Sequence, residues 1–108
     1  MPRPYSEEFM RFITTTSSTS LGVQLGKACV KANLPLIYVA RGLKVSKVTI
    51  FNWFRGNGMR EIMRDKVETF LSTLEKDLES GILPVNSYKE AKAYMQSVAT
   101  SSDTNTAQ

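Results

Sequence analysis

The sequence predicts an all-α fold, a small helical bundle with a helix-turn-helix, a long following helix and a C-terminal helix. Apolar residues recur at helical spacing through most of the 108 residues. Two short apolar runs, Val39 with Leu43 and Ile50 with Trp53, are separated by a few polar residues, as in two helices joined by a tight turn. Residues 59–80 then form one long amphipathic pattern.

Residues 1–20 are predicted to form an N-terminal arm and linker. The Ser-Glu-Glu run at 6–8 is a helix start signal, and the apolar residues after it, among them Phe9 and Ile13, indicate one or two turns of helix that dock on a core. The hydroxyl side chains of 14–20 compete for local backbone hydrogen bonds, so this segment is predicted to be a loop.

Residues 21–80 are predicted to form the helix-turn-helix bundle. Its first helix, from Leu21 to Ala32, carries apolar and small residues at i, i+4, i+7, i+8 and i+11, with Ser20 as its N-cap. Asn33 tolerates the left-handed conformation that ends a helix. The second helix runs from Pro35 to Gly42, since proline is accepted at a helix start.

The third helix of the bundle, 46–55, begins at Ser46, whose hydroxyl can accept a hydrogen bond from a backbone N–H. Ile50, Trp53 and Phe54 lie at i, i+3 and i+4 and are predicted to face inward. Ala40 in the preceding helix is small and is expected to face inward too, where two steeply crossing helices leave little room.

This order of residues resembles the helix-turn-helix of the Cro/CI repressor-like (XRE-type) superfamily of phage and bacteria. The resemblance covers residues 21–58 and rests on Ala40, Val45-Ser46, Ile50, Trp53 and Arg55-Gly56. Two positions depart from the family pattern: Lys44 stands where the family usually has glycine, and Pro35-Leu36 replace a common Ser/Thr-Gln pair. A left-handed Lys44 costs about 1–2 kcal/mol, so a differently built turn is expected.

The resemblance implies double-stranded DNA as the partner, read in the major groove by helix 46–55. Asn52 has the amide geometry to pair with adenine N6 and N7, and Arg55 can bind guanine or a phosphate. Phe51 is an outward aromatic residue that either contacts DNA or packs under the N-terminal segment. The predicted DNA-binding residues are Ser46, Lys47, Val48, Thr49, Phe51, Asn52 and Arg55, with Lys31, Lys44 and Arg60 as further contacts to the DNA backbone.

Helix 59–80 is longer than a short bundle can cover. Its second half is therefore expected to meet another chain or the N-terminal segment. Residues 81–98 are predicted to form a C-terminal helical extension that could serve oligomerisation, with an extended link before a last helix that begins with a capping box at Ser87–Glu90. The polar residues 99–108 are predicted to be a disordered tail. The predicted oligomerisation residues are Phe70, Leu71, Leu74, Leu78 and Tyr94.

Charge is distributed unevenly along the chain. Residues 1–60 hold nine Lys/Arg against two acids, a balance of +7, whereas residues 61–108 hold five against eight, a balance of −3. No acid lies between Phe9 and Arg60. Concentrated like charge opposes folding through self-repulsion, and a polyanionic partner compensates for it.

Composition also excludes several classes of protein. The chain has no histidine and a single cysteine, Cys29, within an apolar helical run. We therefore expect no metal site, no cofactor, no catalytic residues and no enzymatic activity. Without a hydrophobic signal region or a membrane span, the expected location is the cytoplasm, that of the host if a phage encodes the protein.

Three functional hypotheses fit these observations. The first is a small transcriptional regulator that binds a paired half-site as a dimer. The second is a phage assembly protein such as a small terminase subunit, which forms an oligomeric DNA-binding ring. The third is a helical protein-interaction domain that does not bind DNA. The first two imply a homo-oligomer, and none implies a membrane.

Overall fold

The computed structural model describes residues 5–17 and 19–106, with side chains described as far as Val98. These residues form six helices and no strand, which confirms the predicted all-α class. The helices are α1 (Glu7–Thr15), α2 (Leu21–Ala32), α3 (Leu36–Leu43), α4 (Lys47–Phe54), α5 (Glu61–Ser80) and α6 (Tyr88–Thr106). Predictions that fall on residues 1–4, 18 and 107–108 lie outside the described residues.

Serine side chains begin four of the helices. Each serine oxygen accepts a hydrogen bond from the backbone N–H three residues later, which satisfies a donor that the helix itself leaves unpaired. The pairs are Ser6 with Phe9 at 3.1 Å, Ser20 with Val23 at 3.4 Å, Ser46 with Thr49 at 3.1 Å and Ser87 with Glu90 at 3.1 Å. The predicted capping box is complete, because the Glu90 carboxylate accepts a bond from the Asn86 N–H at 3.2 Å.

Helix α2 lies at the centre of the bundle, where α1, α4 and α5 pack against it. Two glycines allow this crowding. A β-carbon on Gly22 would collide with the carbonyl of Trp53, and one on Gly26 would lie 3.0 Å from Ile13 and 3.1 Å from Phe54. The backbones of α2 and α4 can therefore approach closely because position 22 lacks a side chain, and Gly26 leaves room for the side chains packed over it.

The N-terminal segment is part of the core. Tyr5, Phe9 and Ile13 are buried, and the Tyr5 hydroxyl donates a hydrogen bond to the Leu34 carbonyl at 2.6 Å. The predicted docking of this helix is thus seen directly. The helix continues through Thr15, so the loop begins two residues later than the hydroxyl-rich composition of 14–20 predicts.

In the structure, the predicted oligomerisation residues pack within a single chain. Phe70, Leu71 and Leu74 are at most 6% exposed within a single chain, because α5 packs along α2. Leu78 is half-buried against the same core. Tyr94 is half-buried as well, and its hydroxyl donates to the Asp77 carboxylate at 2.6 Å, which joins α6 to α5. These side chains leave little apolar surface for another chain.

Helix α6 packs on α3 and extends to Thr106, beyond the predicted end near Val98. The segment 99–106 is therefore helical in the structure, where its polar composition predicts disorder. Neither glycine nor proline interrupts it, and each of its residues costs a helix less than about 1 kcal/mol relative to alanine.

Gly22 on α2 and Gly42 on α3 allow a matched test of packing. Gly22→Ala places a methyl group against backbone, so we expect the free energy of unfolding to fall by about 2 kcal/mol or more. The β-carbon of Gly42→Ala would contact only the terminal methyl group of the flexible Met95 side chain. The higher helix propensity of alanine stabilises α3 by up to about 1 kcal/mol. Urea unfolding of both variants measures the difference. Equal stabilities would contradict the close approach of α2 and α4.

Burial raises the pKa of the Tyr5 hydroxyl and of the Cys29 thiol. In the unfolded chain these groups ionise near their ordinary pKa values, about 10 and about 8.5. Above those values the folded state holds protons that the unfolded state has lost. The free energy of unfolding should therefore be unaffected below about pH 8 and fall above it, by about 1.4 kcal/mol per pH unit for each ionised group.

Tyr5→Phe tests the tyrosine part of this prediction. At neutral pH it should cost about 1 kcal/mol, because the Leu34 carbonyl loses its donor. Above pH 10 it should make the decline shallower by about 1.4 kcal/mol per pH unit. Denaturant titrations at pH 7 to 11 measure both effects, and an unchanged alkaline slope would show that Tyr5 does not contribute.

Candidate nucleic-acid interface

Helices α3 and α4 are joined by a three-residue turn, 44–46. Lys44 has φ 61° and ψ 42°, so it takes the left-handed conformation that the family pattern assigns to glycine. The Val45 N–H donates to the Ala40 carbonyl at 3.0 Å, and the Lys66 ammonium donates to the Leu43 carbonyl at 3.2 Å. The expectation of a differently built turn is wrong, because these bonds offset the conformational cost of a left-handed lysine.

The inward face of α4 is as predicted. Ile50 and Phe54 are fully buried and Trp53 is 2% exposed. Ala40 of α3 is also buried, where the two helices pack against each other. This burial fixes the rotation of α4 about its axis and so determines which residues face outward.

The outward face of α4 carries Lys47, Val48 and Asn52, with Arg55 at the C-cap. Val48 is 71% exposed, so its apolar side chain is open to a partner. The side-chain amide of Asn52 makes no hydrogen bond within the described part of the chain. Its donor and its acceptor are both available to a partner.

Ser46 and Thr49 are engaged with each other. The Ser46 hydroxyl accepts from the Thr49 N–H at 3.1 Å, and it donates to the Thr49 hydroxyl at 2.9 Å. Both lie at the N-terminal end of α4, where the helix dipole favours an anion. Their first role in the structure is to cap the helix.

Phe51 packs against the N-terminal helix and also remains at the surface. Its ring centroid lies 5.6 Å from that of Phe9, and its side chain is 36% exposed. The Arg55 guanidinium carbon lies over the Phe51 ring, 5.7 Å from the centroid. The two interpretations of Phe51 left open by the sequence are therefore compatible.

The three outlying basic residues occupy different places. Lys44 lies in the turn just before α4, and Arg60 is the N-cap of α5, after the loop that leaves α4. Lys31 lines a cleft between α1 and α2 together with Ile13 and Thr14. Lys44 and Arg60 thus adjoin the two ends of α4, whereas Lys31 belongs to the α1–α2 side of the molecule.

Sequence reasoning missed two contributors to this surface. Phe9 supports Phe51 from beneath, and Lys66 closes the C-terminal end of α3. The sequence showed Phe9 only as an apolar residue that is expected to pack against a core.

The spacing of Gly22 and Gly26, four residues apart on one helix face, is a sequence signal that another helix crosses α2 closely.

The chain matches no family model, no curated protein and no solved structure. Within the described ranges, no group of three or more Cys, Asp or Glu side chains has the arrangement of a metal site. No described helix combines the length and apolar character needed to cross a membrane.

The turn residue provides a test of its own. Lys44→Gly and Lys44→Ala remove the same side chain, but only glycine takes φ 61° without a steric cost. We expect Lys44→Gly to be more stable than Lys44→Ala by about 1 kcal/mol. Thermal or urea unfolding of the pair measures this, and an alanine variant of equal stability would contradict the left-handed turn.

Proposed function

We propose that this chain is a sequence-specific DNA-binding protein, a small regulator that places α4 in the major groove of double-stranded DNA. The observation that carries the proposal is the division of α4 into two faces. One face is locked in the core through Ile50, Trp53 and Phe54, while the other presents an exposed cation, an apolar group and an unpaired amide. Direct readout of base edges uses these chemical groups.

The charge around α4 supports a polyanionic partner. Helices α2, α3 and α4 contain no acidic residue, and neither do the segments between them. Lys44 and Lys47 lie at the N-terminal end of α4, and Arg55 and Arg60 lie at and beyond its C-terminal end. Cations at both ends of a groove-bound helix can neutralise phosphates of the two strands that border the groove.

Within the proposal the residues divide into two roles. Asn52 and Arg55 read bases, adenine and guanine respectively, and Val48 contacts a thymine methyl group. Lys44, Lys47 and Arg60 bind phosphates and fix the position of the helix, with the capped N-terminus of α4 contributing its dipole. The protein then acts wherever DNA is accessible, which for a bacterial or phage protein is the cytoplasm.

A DNA-packaging ring is the alternative to a regulator. The residues predicted for oligomerisation in either case, Phe70, Leu71 and Leu74 among them, are buried in the core of a single chain. Self-association would have to use other residues. The mass of the protein in solution separates the two hypotheses, since a dimer supports a regulator with paired half-sites and a closed ring supports packaging.

Selection from a random double-stranded pool, followed by fluorescence anisotropy at several salt concentrations, tests the proposal. Asn52→Ala and Arg55→Ala should each weaken binding to the selected site by about 5- to 150-fold and relax specificity at one base pair. Lys47→Gln should weaken binding to all sequences and reduce the salt slope by about one. These effects differ because base contacts specify sequence and phosphate contacts do not.

Lys76→Gln is the matched control. It removes an exposed lysine from the acidic half of the chain, so affinity and salt slope should stay at their wild-type values. Binding that is insensitive to salt, or unaffected by both Asn52→Ala and Arg55→Ala, would overturn the proposal. A lack of binding to every sequence in the pool would also overturn it and would favour the protein-interaction hypothesis.

A further inference from the structure

We infer that α1 is a positioning element of the DNA-reading surface. Phe9 supports Phe51, and Phe51 in turn holds the Arg55 guanidinium in one direction. This inference rests on the proposed function and adds to it a specificity-determining residue, Phe51, that acts through Arg55 rather than through DNA. It also gives the N-terminal helix a role beyond completing the core.

The inner ring of this aromatic stack, Phe9, is buried. Phe9 is 7% exposed, and its ring lies 5.3 Å from Tyr5 and 6.0 Å from Phe54 by centroid distance. Tyr5 is itself fixed by the hydrogen bond to the Leu34 carbonyl. Phe9 is therefore held by two rings from different parts of the chain, and it offers Phe51 a surface that does not move with solvent-exposed side chains.

The outer end of this stack is the Arg55 guanidinium, whose orientation matters for binding a base. Arg55 follows the last residue of α4, has φ −90° and ψ 1°, and is exposed. A long side chain at that position loses much rotamer freedom when it binds a base. With its guanidinium over the Phe51 ring, 5.7 Å from the centroid, Arg55 is partly ordered before DNA arrives.

Guanidinium orientation matters because arginine reads guanine through two parallel hydrogen bonds. A planar fork that is already directed outward loses less freedom on binding than one that samples all rotamers. The cleft between α1 and α4 also contains Phe12 and the carboxylate-bearing Glu8. The stack keeps the guanidinium over an aromatic ring at the edge of this cleft.

A double-mutant cycle tests the inference. Phe51→Leu keeps an apolar contact on Phe9 but removes the aromatic face beneath Arg55. In the wild-type background it should weaken binding to the selected site about two- to fivefold, the range expected when an exposed cation–π contact is lost. In the Arg55→Ala background the same substitution should change affinity by less than about 1.5-fold, because the group that it positions is gone.

Phe12→Leu is the matched control. Phe12 is 37% exposed and its ring centroid lies 6.3 Å from that of Phe9, as a second aromatic neighbour of Phe9. The Arg55 guanidinium, however, lies over Phe51. Phe12→Leu should therefore leave affinity and specificity at the wild-type level. A second readout needs no DNA: ring-current shifts should move the Arg55 δ protons upfield in wild type and in Phe12→Leu, and the shift should be lost in Phe51→Leu.

The outcomes separate the two proposals. If wild type binds a selected site but Phe51→Leu is equally costly with and without Arg55, the inference fails and the proposed function stands. Arg55 δ protons at the same shift in wild type and Phe51→Leu would overturn it too. If wild type binds no DNA, the proposed function fails and this inference fails with it. A cycle with clear coupling and a shift lost only in Phe51→Leu supports it.

Discussion

The close approach of α2 to the C-terminal half of α4 is the constraint on which the rest of the structure depends. It requires glycine at 22, because a β-carbon there would collide with the Trp53 carbonyl, and glycine at 26 leaves room for the side chains of Ile13 and Phe54. Trp53 is buried at this contact, and its indole N–H has no acceptor in the described part of the chain. An unpaired buried donor costs about 1–3 kcal/mol, so shape here outweighs hydrogen bonding.

Local signals allowed the helices and the inward face of α4 to be predicted from the sequence. Serine caps and apolar spacing are short-range properties, and the structure keeps them wherever they occur. Lys44 was harder to predict because the sequence shows the cost of a left-handed lysine but not the bonds that offset it. One of these bonds comes from Lys66, which lies 23 residues after Leu43 in the sequence and contacts α3 only when α5 packs against the rest of the bundle.

The sequence of an apolar helix face does not show which surface that face packs against. Phe70, Leu71 and Leu74 give the same pattern whether they face another chain or helix α2 of their own chain. The structure favours the second arrangement because α2 is apolar or small over most of its circumference and packs against three helices. A short helix with so many buried residues needs a long neighbour, and α5, with 20 residues, is long enough to cover it.

The proposed reading face is coupled to the core through aromatic rings rather than through the helix backbone alone. Tyr5, Phe9 and Phe54 form a buried cluster in which α1 meets α4, and Phe51 extends this cluster to the surface. Undocking of α1 would therefore remove the support of Phe51 before it unfolded α4, whose own core residues contact α2 and α3. Phe51 belongs both to the edge of the core and to the outer face of α4. The docking of α1, a helix outside the helix-turn-helix, therefore helps to determine the orientation of the Arg55 side chain.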